Sequence, residues 1–300
     1  MPTRIEAYVL LNGAWSPDAM DFAAALSARF PGIGRVRGKQ AEAGSGTPHT
    51  VSVDGATVQI SVVNAPYPTE QLMPPLRLME DIDPEPAARA QVAYAMLSSE
   101  WPDIEGEEQA EAKAEIALAF SALLTLVTAQ VMRDAPSLLA FWTESWRLRT
   151  AEEMDAAADG VMQGKPPFDL WYSLAEIKGS RAGGDDMRGT MSFGLRPFCG
   201  REIEVAPAPV SAAATEALAR GMAKRLIEGK RVEDYEALPH PALEEPAVVR
   251  LADRFMRPRQ PVVLIVPPGA GIDSESLQAK KSGGASRSAG LVSRLFGGRR

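Results

Sequence analysis

The hydrophobic and polar positions of the first 70 residues follow two periods. Residues 5–11 are mostly apolar and include the β-branched Ile5 and Val9, which predicts a buried strand, and residues 19–30 predict a helix. We expect Ser16-Pro17-Asp18 to cap that helix, with the proline at its first helical position. Two short strands, 49–53 and 57–63, follow around Asp54-Gly55, a typical hairpin turn. The opening segment therefore predicts the order β-α-β-β.

Strands and helices continue to alternate through the rest of the chain. The longest predicted helix covers residues 109–132, which include the most apolar segment, 116–132. That segment is shorter than the roughly 20 apolar residues of a bilayer span, so it predicts a core helix. The other predicted elements are strands at 91–99 and 138–146, a helix at 151–162, strands at 170–177 and 190–195, a helix at 212–227, and strands at 248–255 and 261–266.

Hairpins among alternating helices and strands favour an α+β fold, with mixed or antiparallel sheets and packed helices. Two β-α-β-β-like halves are one arrangement that this order allows. We expect a single globular domain over residues 1–270, with two subdomains, about 1–80 and 81–270, as the alternative. Beyond it, residues 271–300 are rich in Gly, Ser, Lys and Arg, which is typical of a flexible tail.

Charge divides the chain unequally between the body and this tail. The formal net charge is −7, yet residues 271–300 carry six basic and two acidic residues. Residues 1–270 therefore carry a net charge of −11, which argues against a nucleic-acid partner. The end of the tail places apolar and basic residues at helical spacing, which predicts a short peptide that docks on a protein partner. The alternatives are an unstructured end, weak contact with a membrane surface, or folding back onto the acidic body. Its residues are Leu291, Val292, Arg294, Leu295 and Phe296.

Reactive side chains are scarce. The chain has one cysteine, Cys199, and two histidines, His49 and His240, which are far apart in sequence. This pattern matches no spacing of metal ligands and places no evident base beside the thiol, so no metal, cofactor or catalytic nucleophile is predicted. A single cysteine cannot form an internal disulfide, and the start of the chain lacks the pattern of a secretory signal, so we expect a cytoplasmic protein.

Acidic and basic residues that lie close together in sequence give one candidate binding site. Glu202 and Glu204 stand at i and i+2 in a predicted strand and would point to the same face, with Arg196 and Arg201 nearby. Carboxylates in this arrangement can act as acid and base or bind a small ligand. These four residues are the candidate site.

The segment from Gly189 to Val205 resembles the T-x-G-L-x-x-F-G-x-x-E-I-E-V pattern of a bacterial family known as domain of unknown function 4261. Gly194-Leu195, Phe198 with Gly200, and Glu202 to Val205 carry this resemblance, with Cys199 as an insertion. The opening strand and helix, the Asp54-Gly55 hairpin and Asp169-Leu170-Trp171 extend it over residues 5–235. The resemblance implies a bacterial cytosolic α+β protein, and it associates the chain loosely with secretion or toxin-immunity systems. It transfers no catalytic residue.

Taken together, these patterns predict a non-enzymatic binding or adaptor protein whose body recognises a protein partner and whose tail docks or tethers. The alternative is an enzyme or small-ligand-binding protein that uses the carboxylates and arginines near residues 196–204.

Overall fold

The computed structural model describes residues 3–40, 48–76, 83–102, 109–180, 186–252 and 261–270. Its contacts divide the chain into two compact units: Met1–Gln109 with Glu115–Ser173, and Ala110–Ala114 with Leu174–Arg300. The boundary expected at about residue 80 lies inside the first unit, because the strand that follows it in sequence pairs with two strands that precede it. The α+β fold class is confirmed.

The first unit is built on an antiparallel sheet of seven strands in the order β2-β3-β4-β5-β1-β6-β7. The strands are β1 (Thr3–Leu11), β2 (Val36–Lys39), β3 (His49–Val53), β4 (Ala56–Val63), β5 (Ala93–Trp101), β6 (Ser137–Trp142) and β7 (Arg147–Arg149). The helices that begin in this part of the chain are α1 (Ala19–Arg29), α2 (Thr69–Leu76), α3 (Pro84–Ala90), α4 (Ala110–Asp134), α5 (Ala151–Met162) and α6 (Phe168–Trp171).

Strand β1 lies in the middle of this sheet and alternates strictly between its two faces. Ile5, Ala7 and Val9 are at most 1% exposed, as the predicted buried strand requires. On the helix side of the sheet, the rings of Trp101 and Phe120 lie 4.9 Å apart and connect β5 to α4. One face of the strand is therefore buried at Ile5, Ala7 and Val9, and the opposite face carries Arg4, Glu6 and Tyr8.

The start of α1 differs from the prediction by one position. Asp18 is the N-cap, and its carboxylate accepts hydrogen bonds from the backbone N–H groups of Met20 and Asp21. Pro17 therefore precedes the cap rather than occupying the first helical position. Asp18 is the N-cap because its side chain accepts from two N–H groups that have no partner within the helix.

The hairpin of β3 and β4 is confirmed. Asp54 (φ 48°) and Gly55 (φ 97°) form its two-residue turn, and positive φ at both positions suits the right-handed twist of the flanking strands.

Three other parts of the first unit differ from the sequence prediction. Helix α2 contains Pro74 and Pro75, residues that predict a loop, yet Leu72 and Leu76 are fully buried in a cluster with Leu10 of β1. Burial of apolar surface outweighs the cost of the prolines here. Strand β2 and helix α3 were likewise not predicted.

The strand predicted over 138–146 ends at Trp142 as β6; a turn follows at 143–146, and β7 begins at Arg147. Trp146 closes this turn with φ 56°. Farther along, Leu170 lies in α6 rather than in a strand, because this short helix buries both Leu170 and Trp171.

Helix α4 is apolar and long enough to pass a composition test for a membrane span. However, 67% of its most apolar window is buried inside the structure, as in the core helix predicted from the sequence. Within the first unit, Trp171 donates a hydrogen bond from Nε1 to Thr125 of this helix at 2.9 Å.

The second unit is built on a mixed sheet of six strands in the order β11-β12-β13-β10-β9-β8. Its elements are β8 (Ser173–Ser180), β9 (Asp186–Phe193), α7 (Arg196–Cys199), β10 (Glu202–Ala208), α8 (Ala212–Ile227), β11 (Ala237–Leu238), β12 (Ala247–Ala252) and β13 (Val262–Val266). Strands β10 and β13 are parallel, whereas the other registered pairs are antiparallel.

Helix α8 has the predicted bounds. Ser211 is its N-cap and accepts from the N–H of Ala214, and Gly229 follows the helix with φ 69°. A Cβ at Gly229 would lie 2.6 Å from the Cα of Glu111, so glycine also allows the first turn of α4 to approach.

Candidate functional site

The four predicted site residues lie around a turn that connects β9 to β10 in the second unit. Glu202 begins β10 and is 6% exposed, and its carboxylate reaches back to the end of β9. Oε2 accepts from the Ser192 hydroxyl at 2.6 Å and from the N–H of Leu195 at 3.3 Å. Oε1 accepts from the N–H groups of Gly194 at 3.0 Å and Arg196 at 3.3 Å. Glu202 therefore holds the turn and the start of α7 in place.

The other three predicted residues point to different surroundings. Glu204 is fully buried in the central strand β10, and Arg196 is exposed. The Arg201 guanidinium donates to the carbonyl of Ala252 at 3.4 Å. The structure thus joins Glu202 to Arg196 only through a backbone N–H, and a binding role for the four residues stays a prediction.

Cys199 lies at the end of α7 beside this turn. Its thiol is directed at the carbonyl oxygens of Arg201 (3.1 Å) and Leu195 (3.4 Å). Burial raises the pKa of the Cys199 thiol to about 12. A thiol that stays protonated at neutral pH is a poor nucleophile, so the residue has the character of a structural cysteine.

The histidines lie apart from any cluster of metal ligands. His240 accepts a hydrogen bond at Nδ1 from the N–H of Ala242 within a proline-rich loop. Over the described ranges, no three His, Cys, Asp or Glu side chains come together in an arrangement that could hold a metal ion.

A larger constellation of polar groups lies on the outer face of the first sheet. Directly opposed residues of neighbouring antiparallel strands point to the same side, so the strand registers define rows of side chains across it. We call the two polar rows the polar face; one row is Lys39, Thr50, Gln59, Ser98 and Glu6, and the next contains Arg37, Ser52, Thr57, Glu100 and Arg4.

The polar face crosses five strands, which at the usual strand spacing is about 19 Å. Arg37, Lys39 and Gln59 are exposed toward its β2 edge, Arg4 and Glu100 are exposed at its β1 end, and Ser98 is buried at 2% exposure. The following rows on the same side of the sheet are apolar, and α2 and α3 cover them around Leu10. This side of the sheet therefore has an apolar half covered by helices and a polar half with exposed charged side chains at both ends.

The border between these halves is marked by an ion-paired corner. Arg4 contacts the carboxylate of Glu6 at 2.6 Å and that of Glu100 at 3.3 Å. The hydroxyl of Tyr8 donates to Glu6 Oε2 at 2.8 Å. Glu144, from the turn between β6 and β7, accepts from the N–H of Glu6 at 2.9 Å and from the Thr143 hydroxyl at 3.0 Å.

Glu144 is the carboxyl group of this corner whose ionisation is most strongly altered. Burial raises its pKa to about 7, and the nearby Glu6 carboxylate adds to the rise, whereas hydrogen bonds from Glu6 N–H and Thr143 oppose it. The pKa of the Tyr8 phenol is raised as well, by burial and by its hydrogen bond to Glu6. At neutral pH, Tyr8 thus remains a hydrogen-bond donor, and Glu144 exchanges between its acid and carboxylate forms.

The tyrosines near this corner pack against one another. The rings of Tyr8, Tyr67 and Tyr94 have centroids 4.8 to 5.7 Å apart, and Phe141 lies 5.9 Å from Tyr67. Rings in mutual contact leave no room between them for a ligand cation, so they form the edge of the core.

This arrangement is suited to recognition over a flat surface. Polar and charged groups are spread along two rows, and the titratable carboxyl of Glu144 accepts from the Thr143 hydroxyl and the Glu6 N–H at their border. The sequence carried a signal for the polar face, namely Arg4, Glu6 and Tyr8 at every second position of β1. It was hidden because residues 5–11 as a whole predicted a buried strand. The predicted docking residues Leu291, Val292, Arg294, Leu295 and Phe296 lie outside the described residues.

Comparison with known proteins gave no match to a family model, to a curated protein or to a solved structure.

Proposed function

We propose that this chain is a non-enzymatic binding or adaptor protein that recognises a protein partner through the polar face. The observation that carries the proposal is the register that aligns Lys39, Thr50, Gln59, Ser98 and Glu6 across five strands; Lys39 and Gln59 are exposed, Thr50 and Glu6 are partly exposed, and Ser98 is buried. A flat surface that offers donors, acceptors and both signs of charge suits a protein surface better than a small substrate, which is usually enclosed in a cleft.

The charges of the polar face support a partner with an acidic patch opposite β2. The residues of the first unit include 11 Lys and Arg against 23 Asp and Glu, a net charge of −12. Against this background Arg37 and Lys39 form a small basic edge, and within the described part of the chain neither has an ion-pair partner. Complementary charge at such an edge fixes register and speeds association. The acidic unit disfavours nucleic acid as the partner.

The tail has a second role in this proposal. Residues 271–300 carry a net charge of +4 and end in the amphipathic group that begins at Leu291. A linked second contact raises the effective concentration of the first, so docking by the tail would strengthen binding by the body. We place the protein in the bacterial cytosol, on its resemblance to the family named above and on its single cysteine.

The alternative function, an enzyme or ligand-binding protein centred on residues 196–204, has less support. Four donors already occupy the carboxylate of Glu202, and a carboxylate engaged in this way is not available as a general base.

Affinity purification from the native host tests the proposal. Four forms are compared: the wild type, a chain without residues 272–300, Arg37→Glu/Lys39→Glu, and the control Arg89→Glu/Lys165→Glu. The control changes the charge of the first unit equally at exposed positions outside the polar face.

We expect the wild type and the control to retain the same partner, the face variant to lose it, and the truncated chain to retain less of it. Equal recovery with the face variant and the wild type would refute recognition by the polar face. Unchanged recovery with the truncated chain would refute the docking role of the tail.

A further inference from the structure

Strand β8 is the outermost strand on one side of the second sheet, next to β9. It is eight residues long, which is long for an edge strand that must avoid pairing with other chains. Among the residues that the structure describes, the backbone of 174–179 makes no hydrogen bond outside its own sheet. The outer N–H and carbonyl groups of this strand are therefore available to an additional strand.

The exposed side chains of β8 are charged, and their signs alternate along one face. Glu176 and Lys178 are two residues apart, with side chains 35% and 73% exposed. Within one chain, Lys178 lies 3.8 Å from the carboxylate of Glu176, and Arg188 of β9 contacts Glu176 at 2.7 Å and Asp186 at 2.9 Å. Charges on an edge strand usually discourage pairing. A pair of opposite charges at i and i+2, however, is complementary to an antiparallel copy of itself.

We propose that two copies of this chain pair through β8, antiparallel and about a two-fold axis at Ile177. In this register Glu176 lies opposite Lys178 of the second copy, and Lys178 lies opposite Glu176 of the second copy. Directly opposed opposite charges stabilise a strand pair, and a two-fold interface repeats each contact. Glu176 would then lie between Arg188 of its own chain and Lys178 of the second copy.

The charges of Glu176 and Lys178 also favour this register over the two registers centred one residue to either side. An axis at Glu176 would place the two Glu176 side chains opposite each other, and an axis at Lys178 would do the same for the lysines. Like charges directly opposed are destabilising, so both neighbouring registers are disfavoured. In an edge strand, every second residue directs its N–H and carbonyl groups outward. The Ile177 axis is possible whether or not Ile177 is one of these residues, because opposed residues of antiparallel strands form either a hydrogen-bonded or a non-hydrogen-bonded pair.

The other face of β8 suits the same arrangement. Ile177 is partly buried within one chain and would meet its own copy at the axis. On either side, Ala175 would lie opposite Gly179 of the second copy, and these small residues allow the strands to approach. Gly179 already packs closely, since a Cβ there would lie 3.5 Å from the Cβ atoms of Met187 and Pro207. The interface is small, so we expect a dimer that dissociates on dilution.

Charge reversal with complementation tests the proposal on the full chain. Lys178→Glu places glutamates opposite Glu176 in a self-pair, and Glu176→Lys places lysines opposite Lys178. Each variant alone is expected to associate about tenfold more weakly than the wild type. In an equimolar mixture of the two variants, every opposed pair is Glu with Lys, so association is expected to return. Lys165→Glu, an exposed substitution in the first unit, is the matched control.

Sedimentation equilibrium from about 5 to 500 μM measures the association, with fluorescence labels to identify the mixed dimer. Concentration-dependent dimerisation of the wild type and the control, weakened in Lys178→Glu and restored in the mixture, supports the proposal. A wild type that stays monomeric throughout would overturn it. Dimerisation that Lys178→Glu does not weaken would overturn it as well, and this exposed substitution should leave folding intact.

Discussion

Two regions of the molecule use carboxylates in opposite ways. In the turn before β10, Glu202 is buried and accepts four hydrogen bonds from the Ser192 hydroxyl and three backbone N–H groups. At the corner of the polar face, Glu144 accepts hydrogen bonds from Glu6 N–H and from the Thr143 hydroxyl, and it lies near a second carboxylate. The first region surrounds its carboxylate with donors, whereas in the second region burial raises the pKa of Glu144 to about 7.

This difference separates a carboxylate that holds the backbone around it from one whose charge responds to pH. Sufficient donors compensate the desolvation of a buried carboxylate and bind it to the backbone around it. Where donors are fewer, burial raises the pKa and the group responds to pH near neutrality. Proximity in sequence pointed to Glu202, but the groups that remain exposed for binding lie on the polar face.

The largest loss of stability is expected when the hydrogen bonds to Glu202 in the first region are removed. Glu202→Gln keeps one acceptor oxygen but directs an amide NH₂ at donors, so at least one buried N–H loses its partner. We expect the free energy of unfolding to fall by about 3 kcal/mol, measured by urea denaturation.

Glu216→Gln is the control, because Glu216 forms an exposed pair with Arg220 on α8. That substitution should cost less than about 0.5 kcal/mol. Similar losses for both variants would contradict a structural role specific to Glu202.

A smaller, pH-dependent effect is expected at Glu144. The pKa of this group is raised from 4.5 to about 7 on folding, so the folded chain holds the proton more tightly than the unfolded chain. Its stabilising contribution is fully present below about pH 4.5 and is lost as the pH rises toward 7. Glu144→Gln removes this titration.

We therefore expect the wild type to lose about 2.5 kcal/mol relative to Glu144→Gln between pH 5 and pH 8, with little change above. Urea denaturation at half-unit steps of pH measures the difference. Parallel profiles for the two proteins would contradict the raised pKa.

The smallest effect is expected at Tyr8. Tyr8→Phe removes one hydrogen bond to Glu6, which retains its contact with Arg4. Because the corner is partly exposed, the expected loss in unfolding free energy is about 0.5 to 1 kcal/mol. A loss as large as that of Glu202→Gln would show that the two regions do not differ in the way described.

The sequence predicted elements whose signals are local. Helix α8 has its predicted bounds because Ser211 and Gly229 flank an amphipathic run, and the Asp54-Gly55 turn determines its hairpin. Helix α2 was missed because its two prolines oppose a helix locally, and only burial of Leu72 and Leu76 against distant residues favours it.

The polar face was harder to predict, because its contacts depend on distant parts of the chain. Glu6 and Glu144 are 138 residues apart, and nothing near Glu144 in sequence indicates that it meets β1. Lys39 reaches the same row as Glu6 only through three intervening strands. Glu202 was correctly noticed as unusual, but its donors are mostly backbone groups, which the pattern of side chains does not reveal.

Site-specific photo-cross-linking in the native host tests the central claim most directly. A photoreactive phenylalanine analogue is placed at Gln59 on the polar face or at Arg196 beside the β9–β10 turn, both exposed positions. The account predicts a discrete protein adduct from position 59, lost in the Arg37→Glu/Lys39→Glu background, and none from position 196. An adduct from position 196 with none from position 59 would contradict it.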